Sequence, residues 1–458
     1  MKIETAQRPE AASARVAMLA SLLIACVPVS ARAQLTNLNG VSNATIESRK
    51  MSPGPECQRY DPMITQGSES PIITTCDTLV PGQFGLRKFL GDRGFLFEGF
   101  YTASMIYDVL GHQQRPQLYN GQRPNFSGNL WLNMTYDLER VGFNPGSQLT
   151  VSMNNWQSAY TGAGIRATSL SQATVLQKFF NGHVSILYGY YGILGQFYGM
   201  FMGTSTASSA LGPLSIIPNQ VGLSMYTPTP GADVRIYLPD RRFYNHIGVA
   251  RSQSALGFLA DSRANPSGVN LQVNGTRAVV IDEIGFRVHP ESHVKMTWFR
   301  AGGIYNATPY RDFRTNQFSA SNNAWYVVLD RQLLQPDPKN PYRGWYIELK
   351  TDHADRRRNI FTDDYAATIY TIGPLKSRPR DMLSIGFTYN KIGPAAMRSL
   401  QAGNARMFDH STTTSVAYAA HAMRGVYFTT TASYTTKPFV AEAKPDALSL
   451  QGNLTLSF

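Results

Sequence analysis

The feature that most constrains this chain is a long alternating stretch at residues 125–138, NFSGNLWLNMTYDL. Every second residue from Phe126 to Leu138 is apolar or glycine, and the residues between them carry mostly amides and hydroxyls. Successive side chains of a strand point to opposite faces, so the stretch predicts a strand with one apolar face. It is longer than the five or six residues, roughly, of a soluble strand, and it suits a tilted transmembrane strand of roughly 9–11 residues. A soluble sandwich alternates in the same way, so this stretch alone leaves both interpretations open.

The composition restricts how such a chain could cross a membrane. Charged residues make up 16% of the sequence, below the roughly 25% of ordinary soluble domains. No apolar run reaches the roughly 20 residues that a transmembrane helix needs. A membrane-spanning chain of this kind must therefore be a closed barrel, because only helices and closed barrels satisfy every backbone polar group in lipid.

The N-terminal segment 1–33 has the features of a secretory signal. It begins with scattered basic residues, continues with the apolar run 16–29, and ends in the small-x-small sequence at 31–33. This pattern predicts cleavage between Ala33 and Gln34 and export from the cytoplasm.

Export changes the meaning of the charge and of the cysteines. Removal of residues 1–33 lowers the formal net charge from +12 to +10. An exported chain does not meet nucleic acid, so the charge predicts a positive pore or loops that face anionic lipid. Cys57 and Cys76 remain, and two cysteines in an oxidising compartment favour a disulfide, worth about 3 kcal/mol for a loop of this length. The alternative is two separate buried thiols.

The rest of the chain is organised as an irregular segment followed by hairpins. Residues 34–92 show no sustained alternation, although 82–92 has the spacing of a short amphipathic helix. Residues 93–458 alternate between strands and turns with no second domain, and 202–226 is a candidate for a loop that folds into a lumen. This succession of strands and turns is too long for one soluble β-sandwich, which has about 100 residues. A barrel of about sixteen strands has an interior too wide for side chains to fill, so its apolar faces must point outward to lipid.

Several short motifs then point to a known family. They are GQFGLRKFLGDRGFLFEGFYTASMIYDVLG from residue 82, DLER-VGF at 137–143, YTPTPGA at 226–232, VLDRQ at 328–332, RPRD at 378–381 and PDAL at 445–448. In this order, over roughly residues 82–458, they resemble the carbohydrate-selective outer-membrane porins of the OprB type. The family's tryptophan near Phe84 is absent, and its Gly-Gly after the first strand is replaced by Gly111-His112-Gln113.

The resemblance implies a sixteen-stranded antiparallel barrel in the bacterial outer membrane, surrounded by lipid. It also implies a narrowed, charged eyelet that passes monosaccharides by diffusion. The chain ends in Phe458, and a terminal aromatic is what outer-membrane barrels present to the barrel-assembly machinery.

A sugar pathway needs aromatic faces for the ring and polar groups that exchange hydrogen bonds with hydroxyls. The strand phases select candidates that would line the lumen, each of which could also be an ordinary solvated wall residue. The candidates are Glu98, Trp131, Asn133, Arg235, Glu283, Arg287, Lys295, Asp330, Glu348 and Lys350.

Two of these phases carry particular weight. Lys295 faces the lumen if Val294, Met296 and Trp298 face lipid. Asp282 falls on the lipid side of its strand, where a carboxylate is unfavourable. With the basic net charge, the inward cations predict a net positive lumen.

The sequence contains no sign of an enzyme. It has no Gly-x-Ser-x-Gly elbow, no His-Glu-x-x-His motif and no P-loop, and its eight histidines lack metal-ligand spacing. We therefore expect a passive channel for small sugars or other small solutes, without metal or cofactor. The second hypothesis is an exported β-rich binding or surface-structural protein that forms no pore. The oligomeric state stays open.

Overall fold

The computed structural model describes residues 56–66, 74–113, 115–160, 166–198, 217–225, 227–402, 408–438 and 445–458. The strands are β1 Phe95–Asp108, β2 Asn125–Asp137, β3 Gln148–Ser158, β4 Ala167–Phe179, β5 Val184–Tyr191, β6 Thr229–Tyr237, β7 Phe243–Arg251, β8 Ala278–Val288, β9 Thr297–Asn306, β10 Tyr310–Arg311, β11 Phe318–Ser319, β12 Asn322–Leu334, β13 Gly344–Ala354, β14 Phe361–Ile372, β15 Met382–Ile392, β16 His410–Met423, β17 Val426–Thr436 and β18 Ala447–Ser457. The α-helices are Leu86–Gly91, Ile217–Gln220, Phe258–Ala264 and Pro394–Gln401, and the 3-10 helices are Glu56–Met63, Gln83–Gly85, Leu138–Val141, Phe180–Gly182 and Ile193–Gln196. The predicted signal segment, its cleavage site at Ala33 and Gln34, and most of 202–226 lie outside the described residues.

The strands form a closed antiparallel barrel. Each barrel strand pairs with its neighbours in sequence, except that β9 pairs with β12 because β10 and β11 form a separate small hairpin. The first and last strands close the ring, with Phe100 of β1 opposite Ser457 of β18. Sixteen of the described strands belong to the ring, which confirms the predicted all-β barrel with its short helical segment before β1.

The alternation of side chains places one face of every strand outside and the other inside. In β2, Phe126 is 61% exposed on the outer face, whereas Asn133 is 1% exposed on the inner face. The outer faces of the other strands likewise carry exposed large apolar side chains, such as Ile385 and Leu450. No helix in the described part of the chain is long and apolar enough to span a bilayer.

The two ends of the barrel differ in the length of their connections. At one end the strands are joined by turns of two to ten residues, and β1 begins and β18 ends there. We call this the turn end. At the other end, the loop end, connections reach 37 residues in the segment 192–228. In outer-membrane barrels the short turns are periplasmic and the long loops extracellular.

The chain terminus lies on the seam that closes the barrel. Phe458 exchanges two backbone hydrogen bonds with Gly99 of β1, at 2.8 and 2.9 Å. A Cβ on Gly99 would collide with the Phe458 ring. The lack of a side chain at Gly99 therefore leaves room for the terminal aromatic ring at the seam.

The structure corrects the predicted phase of β9. The strand begins at Thr297, and its inward face carries Arg300, with Trp298 and Met296 on the same side. Lys295 precedes the strand with the opposite parity, is exposed, and donates to the Leu333 carbonyl, so it is not a lumen residue. The predicted phase is wrong because it places Trp298 on the lipid face. The N–H and the ring face of a tryptophan also suit a polar lumen.

The unfavourable position of Asp282 has a local explanation. As the sequence indicated, this residue lies on the outer face of β8 between Val280 and Ile284. Asn245 of the neighbouring β7 lies on the same face and donates its side-chain N–H to the Asp282 carboxylate at 2.6 Å. Asn245 and Asp282 are therefore hydrogen-bonded to each other on an outer surface that is otherwise apolar.

Candidate functional site

The N-terminal segment enters the lumen at the turn end. Cys57 and Cys76 are bonded to each other and join the two described parts of this segment. The Thr65 hydroxyl donates a hydrogen bond to the Glu98 carboxylate at 3.3 Å and accepts one from the Asn133 side-chain amide at 2.6 Å. Glu98 and Asn133 therefore face inward as predicted, but they hold this segment against the wall instead of facing open solvent.

Asp77 holds the same segment to the opposite side of the seam. His421 Nε2 lies 2.9 Å from its carboxylate, Arg380 forms an ion pair at 3.0 Å, and the Tyr427 hydroxyl donates to it. Burial alone would raise the pKa of Asp77, but the Tyr427 hydroxyl, Arg380 and His421 together bring its pKa below the ordinary value. The carboxylate is thus charged at neutral pH and fastens the segment to β16 and β17.

The lumen has two chemically different walls. We define the charged wall as the inward faces of β6, β8, β9 and β12–β14, with the residues Asp233, Arg235, Glu283, Arg287, Arg300, Asp330, Glu348, Lys350, Asp352 and Asp364. We define the amide and hydroxyl wall as the inward faces of β1–β3 and β16–β18, which carry mainly Ser, Thr, Asn and Gln. In the ring, β9 lies eight strands from β1, so the two walls face each other.

One loop residue is fastened to the charged wall by both its backbone and its side chain. Tyr198, in the long loop between β5 and β6, donates its backbone N–H to Glu283 at 2.9 Å and accepts from Arg300 at its carbonyl at 3.0 Å. Its hydroxyl donates to Asp352 at 2.5 Å, and its ring meets Tyr326 edge-on at 4.8 Å. The beginning of this loop, at residues 192–198, therefore lies inside the barrel, just before the segment 202–226 that the sequence predicted to fold into the lumen.

We expect Tyr198→Ala to raise the single-channel conductance and the open-channel noise, because it removes the ring and hydroxyl contacts that hold the loop inward. Tyr198→Phe should have a smaller effect, because it keeps the ring and removes only the hydroxyl. The buried Asp352 carboxylate then lacks this donor, which destabilises the folded loop by about 1–3 kcal/mol. Planar-bilayer recordings measure both quantities. Tyr188→Ala, on the outer face of β5, is the control. Wild-type conductance and noise in Tyr198→Ala would refute the anchoring role.

The Trp298 ring contacts two cations of the charged wall. The guanidinium of Arg287 lies 4.3 Å from the Trp298 ring and that of Arg300 lies 3.8 Å from it. Trp298 donates its indole N–H to the Tyr244 hydroxyl at 3.0 Å, and Tyr244 donates to Glu283 at 2.8 Å. The network fixes the side chains of Arg287 and Glu283 at this height of the barrel, and Glu283 also accepts from Tyr198.

The remaining candidates lie on neighbouring strands of the same wall. Asp330 forms an ion pair with Arg300 at 2.7 Å and stands directly opposite Glu348 in the register of β12 and β13. The Lys350 ammonium lies 5.5 Å from the centre of the Tyr198 ring. Arg235, on β6, donates to the Gln196 carbonyl at 3.1 Å. These residues bring donors and acceptors to one side of the lumen.

Trp131 faces the lumen from the amide and hydroxyl wall. Its ring stacks on Phe100 with 5.2 Å between the ring centres. Because this wall lies opposite the charged wall in the ring, the width of the lumen separates Trp131 from the candidates of the charged wall.

Sequence reasoning missed several residues of the charged wall. Arg300 was missed because the phase of β9 was inverted. Asp352 and Asp364 were missed because the sequence alternation predicts strands only over residues 345–350 and 367–373, whereas β13 continues beyond residue 350 and β14 begins before residue 367. Longer strands could have been inferred from the alternation in KTDHA at 350–354, where Lys350, Asp352 and Ala354 share a face.

The charge of the lumen differs from the prediction. Among the described residues, the charged wall carries six carboxylates and four cations, so its formal balance is acidic. The net positive lumen expected from the sequence is wrong for this wall. The excess of basic residues lies instead in connections such as Arg241-Arg242 and Arg356-Arg357-Arg358.

Most of this chain matches one known protein family. The family model for the carbohydrate-selective porin, OprB family, matches residues 128–458. This chain belongs to that family. None of the curated proteins matches this porin in sequence.

Solved structures of porins share the fold. Pseudomonas putida OprB at high pH has a TM-score of 0.69 and 15% sequence identity, over 83% of this chain and 98% of that one. The low-pH structure of the same protein has a TM-score of 0.53 and 14% identity, over 85% and 99%. Salmonella typhi OmpF in complex with daunomycin has a TM-score of 0.51 and 8% identity, over 80% and 99%. Identities this low show the fold alone.

The family and the barrel together identify the class of protein. This chain is an outer-membrane porin for the diffusion of small solutes, of the carbohydrate-selective family. A channel, and not an enzyme, is what the family and fold indicate. The alternative of an exported β-rich protein without a pore is not favoured by a closed sixteen-strand barrel with an apolar outer surface.

Proposed function

We propose that this porin passes monosaccharides and other small neutral solutes by passive diffusion through the gap between the charged wall and the amide and hydroxyl wall. A neutral sugar feels no net pull from the field, but it loses water in a narrow passage. Closely spaced donors and acceptors, such as Glu348 and Lys350, replace the lost hydrogen bonds. Aromatic side chains such as Trp131 offer a surface for the C–H face of the ring.

The observation that carries this proposal is the mixture of charges on one wall. Cations and carboxylates alternate along the inward faces, with Lys350 two residues from Glu348 and Arg300 paired with Asp330. A wall of one sign would favour ions of the other sign. Interleaved signs instead provide many hydrogen-bond donors and acceptors for a hydroxyl-rich solute.

Proteoliposome swelling tests the function directly. Vesicles containing the purified porin should swell in iso-osmotic glucose and, more slowly, in a disaccharide, whereas empty vesicles should not. A heat-dependent shift on electrophoresis serves as the control for folded barrel. Swelling rates equal to those of empty vesicles for every sugar would overturn the proposal.

The remaining parts of the proposal concern export and assembly. We place cleavage between Ala33 and Gln34, and we assign Phe458 as the residue presented to the barrel-assembly machinery, with outer-membrane lipids around the folded barrel. The position of Phe458 at the end of β18 supports this assignment. N-terminal sequencing of the outer-membrane fraction would test the cleavage.

A further inference from the structure

We propose that the amide and hydroxyl wall contains a second binding site for an uncharged sugar ring, formed by Trp131, Trp156 and Asn129 with Gln451 and Asn453 at its edge. The site is separate from the charged wall. It rests on the proposed function, because a sugar must enter the lumen to reach it.

The strand register brings the central residues of the site together. Asn129 of β2 stands directly opposite Trp156 of β3, and both side chains point inward. Trp131 follows two residues later on the same face, about 7 Å along the strand. Stacking of Trp131 on Phe100, at 5.2 Å between ring centres, fixes the orientation of its ring. Two indoles therefore flank one amide, at the spacing of a single sugar ring.

Four amide atoms of this patch have no hydrogen-bond partner in the described part of the chain. Asn129 is 2% exposed, and both its Nδ2 and its Oδ1 lack a hydrogen bond. The same is true of Asn453 Nδ2 and Gln451 Oε1 on β18. Buried polar atoms in folded proteins are almost always bonded to something. Four such atoms on one wall indicate that water, or a solute that replaces water, completes their bonding.

The chemistry of the patch selects a neutral polyol with an apolar face. An amide offers a donor and an acceptor together, which matches a hydroxyl, whereas it holds an ion less strongly than a charged group does. An indole face carries negative quadrupole density and attracts the weakly positive C–H groups on one face of a sugar ring. An open-chain hexitol has the hydroxyls but lacks this ring face. The site should therefore distinguish a cyclic sugar from a hexitol of equal size.

The two ends of the patch are linked through β18 and β1. Gln451 donates to Asn453 Oδ1 and to the Ser104 hydroxyl, both at 3.2 Å. Gln451 Oε1 and Asn453 Nδ2 take part in neither contact and are buried without a hydrogen-bond partner among the described residues. β18 lies about 10 Å from β2, two strand spacings away. Asn453 is level with Ser127 in the register, two residues from Asn129, which places Asn453 within reach of a second ring of a disaccharide.

Block of single-channel current by D-glucose and by mannitol tests the site in the full-length porin. We expect Asn129→Ala to raise the half-blocking glucose concentration about three-fold to ten-fold, as for the loss of one or two neutral hydrogen bonds. Trp156→Leu should raise it for glucose more than for mannitol. Asn129→Ser provides a second substitution if Asn129→Ala does not fold. Asn390→Ala, which removes an inward amide on β15, is the matched control and should leave the glucose block unchanged.

Ion selectivity separates this site from the charged wall. The reversal potential in a salt gradient should be unchanged in Asn129→Ala and Trp156→Leu, whereas Lys350→Glu should shift it and keep the glucose-to-mannitol ratio. If glucose swells wild-type proteoliposomes but the patch variants block like wild type, the second site is overturned and the porin function stands. If no sugar swells the wild type, both proposals are overturned.

Discussion

Val416→Arg is expected to lower the free energy of unfolding of the barrel in lipid vesicles by about 2–4 kcal/mol, the cost of a basic side chain on the lipid face near the bilayer midplane. Val416 lies near the middle of β16 and is 46% exposed on the outer face. Its cross-strand neighbours on that face are Ile385 and Ala432, which offer no partner to a guanidinium. The side chain therefore has to bend toward the interface or draw water into the lipid.

Ala417→Arg is the matched substitution one residue away. Ala417 faces the lumen between Ser384 and Thr431, so an arginine there is surrounded by polar side chains. We expect its cost to be under about 1 kcal/mol, as for a tolerated lumen substitution. Urea titration in vesicles, followed by the heat-dependent gel shift, measures both values. Equal destabilisation by the two substitutions would show that the inner and outer faces of β16 have been assigned wrongly.

The faces of the strands could be predicted because they follow from local geometry. In a strand the side-chain period is two, so a pattern such as that of 125–138 fixes which residues share a face without knowledge of any contact. The structure confirms the faces predicted for β2 and β13, including Asn133, Glu348 and Lys350. In a strand with large apolar side chains on both faces, the alternation does not show which face points to lipid. In β9, Trp298 and Phe299 point to opposite sides, and the sequence chose the wrong one.

Long-range contacts were the part that could not be predicted. Tyr198 is 85 residues from Glu283 and 154 residues from Asp352 in sequence, yet it bonds to both. Nothing in a loop sequence states which wall it will reach. Thr65 likewise forms hydrogen bonds with Glu98 and Asn133. These two residues have the inward face and the polar chemistry expected of pore-lining residues, but they hold the N-terminal segment in place.

The charges of the lumen lead to the second large expected effect, on ion selectivity. The described charged wall has an excess of two carboxylates over cations, and charges in a narrow channel with low-dielectric walls are screened less than those on an open surface. We therefore expect the wild-type porin to prefer cations, although the whole chain is basic. Basic residues of the connections such as Arg242, Arg356 and Arg357 are exposed to solvent, where salt screens them within about 10 Å at 0.1 M.

Two substitutions on β13 should move this preference in opposite directions. Lys350→Glu removes a lumen cation and adds a carboxylate, so it should increase the cation preference, and Glu348→Gln should decrease it. Lys339→Glu makes the same change of charge in the exposed turn before β13 and should have little effect. Reversal potentials in a salt gradient measure all three against wild type. Anion preference in the wild type, or an equal shift from Lys339→Glu, would mean that the connections, and not the charged wall, set the field that a passing ion meets.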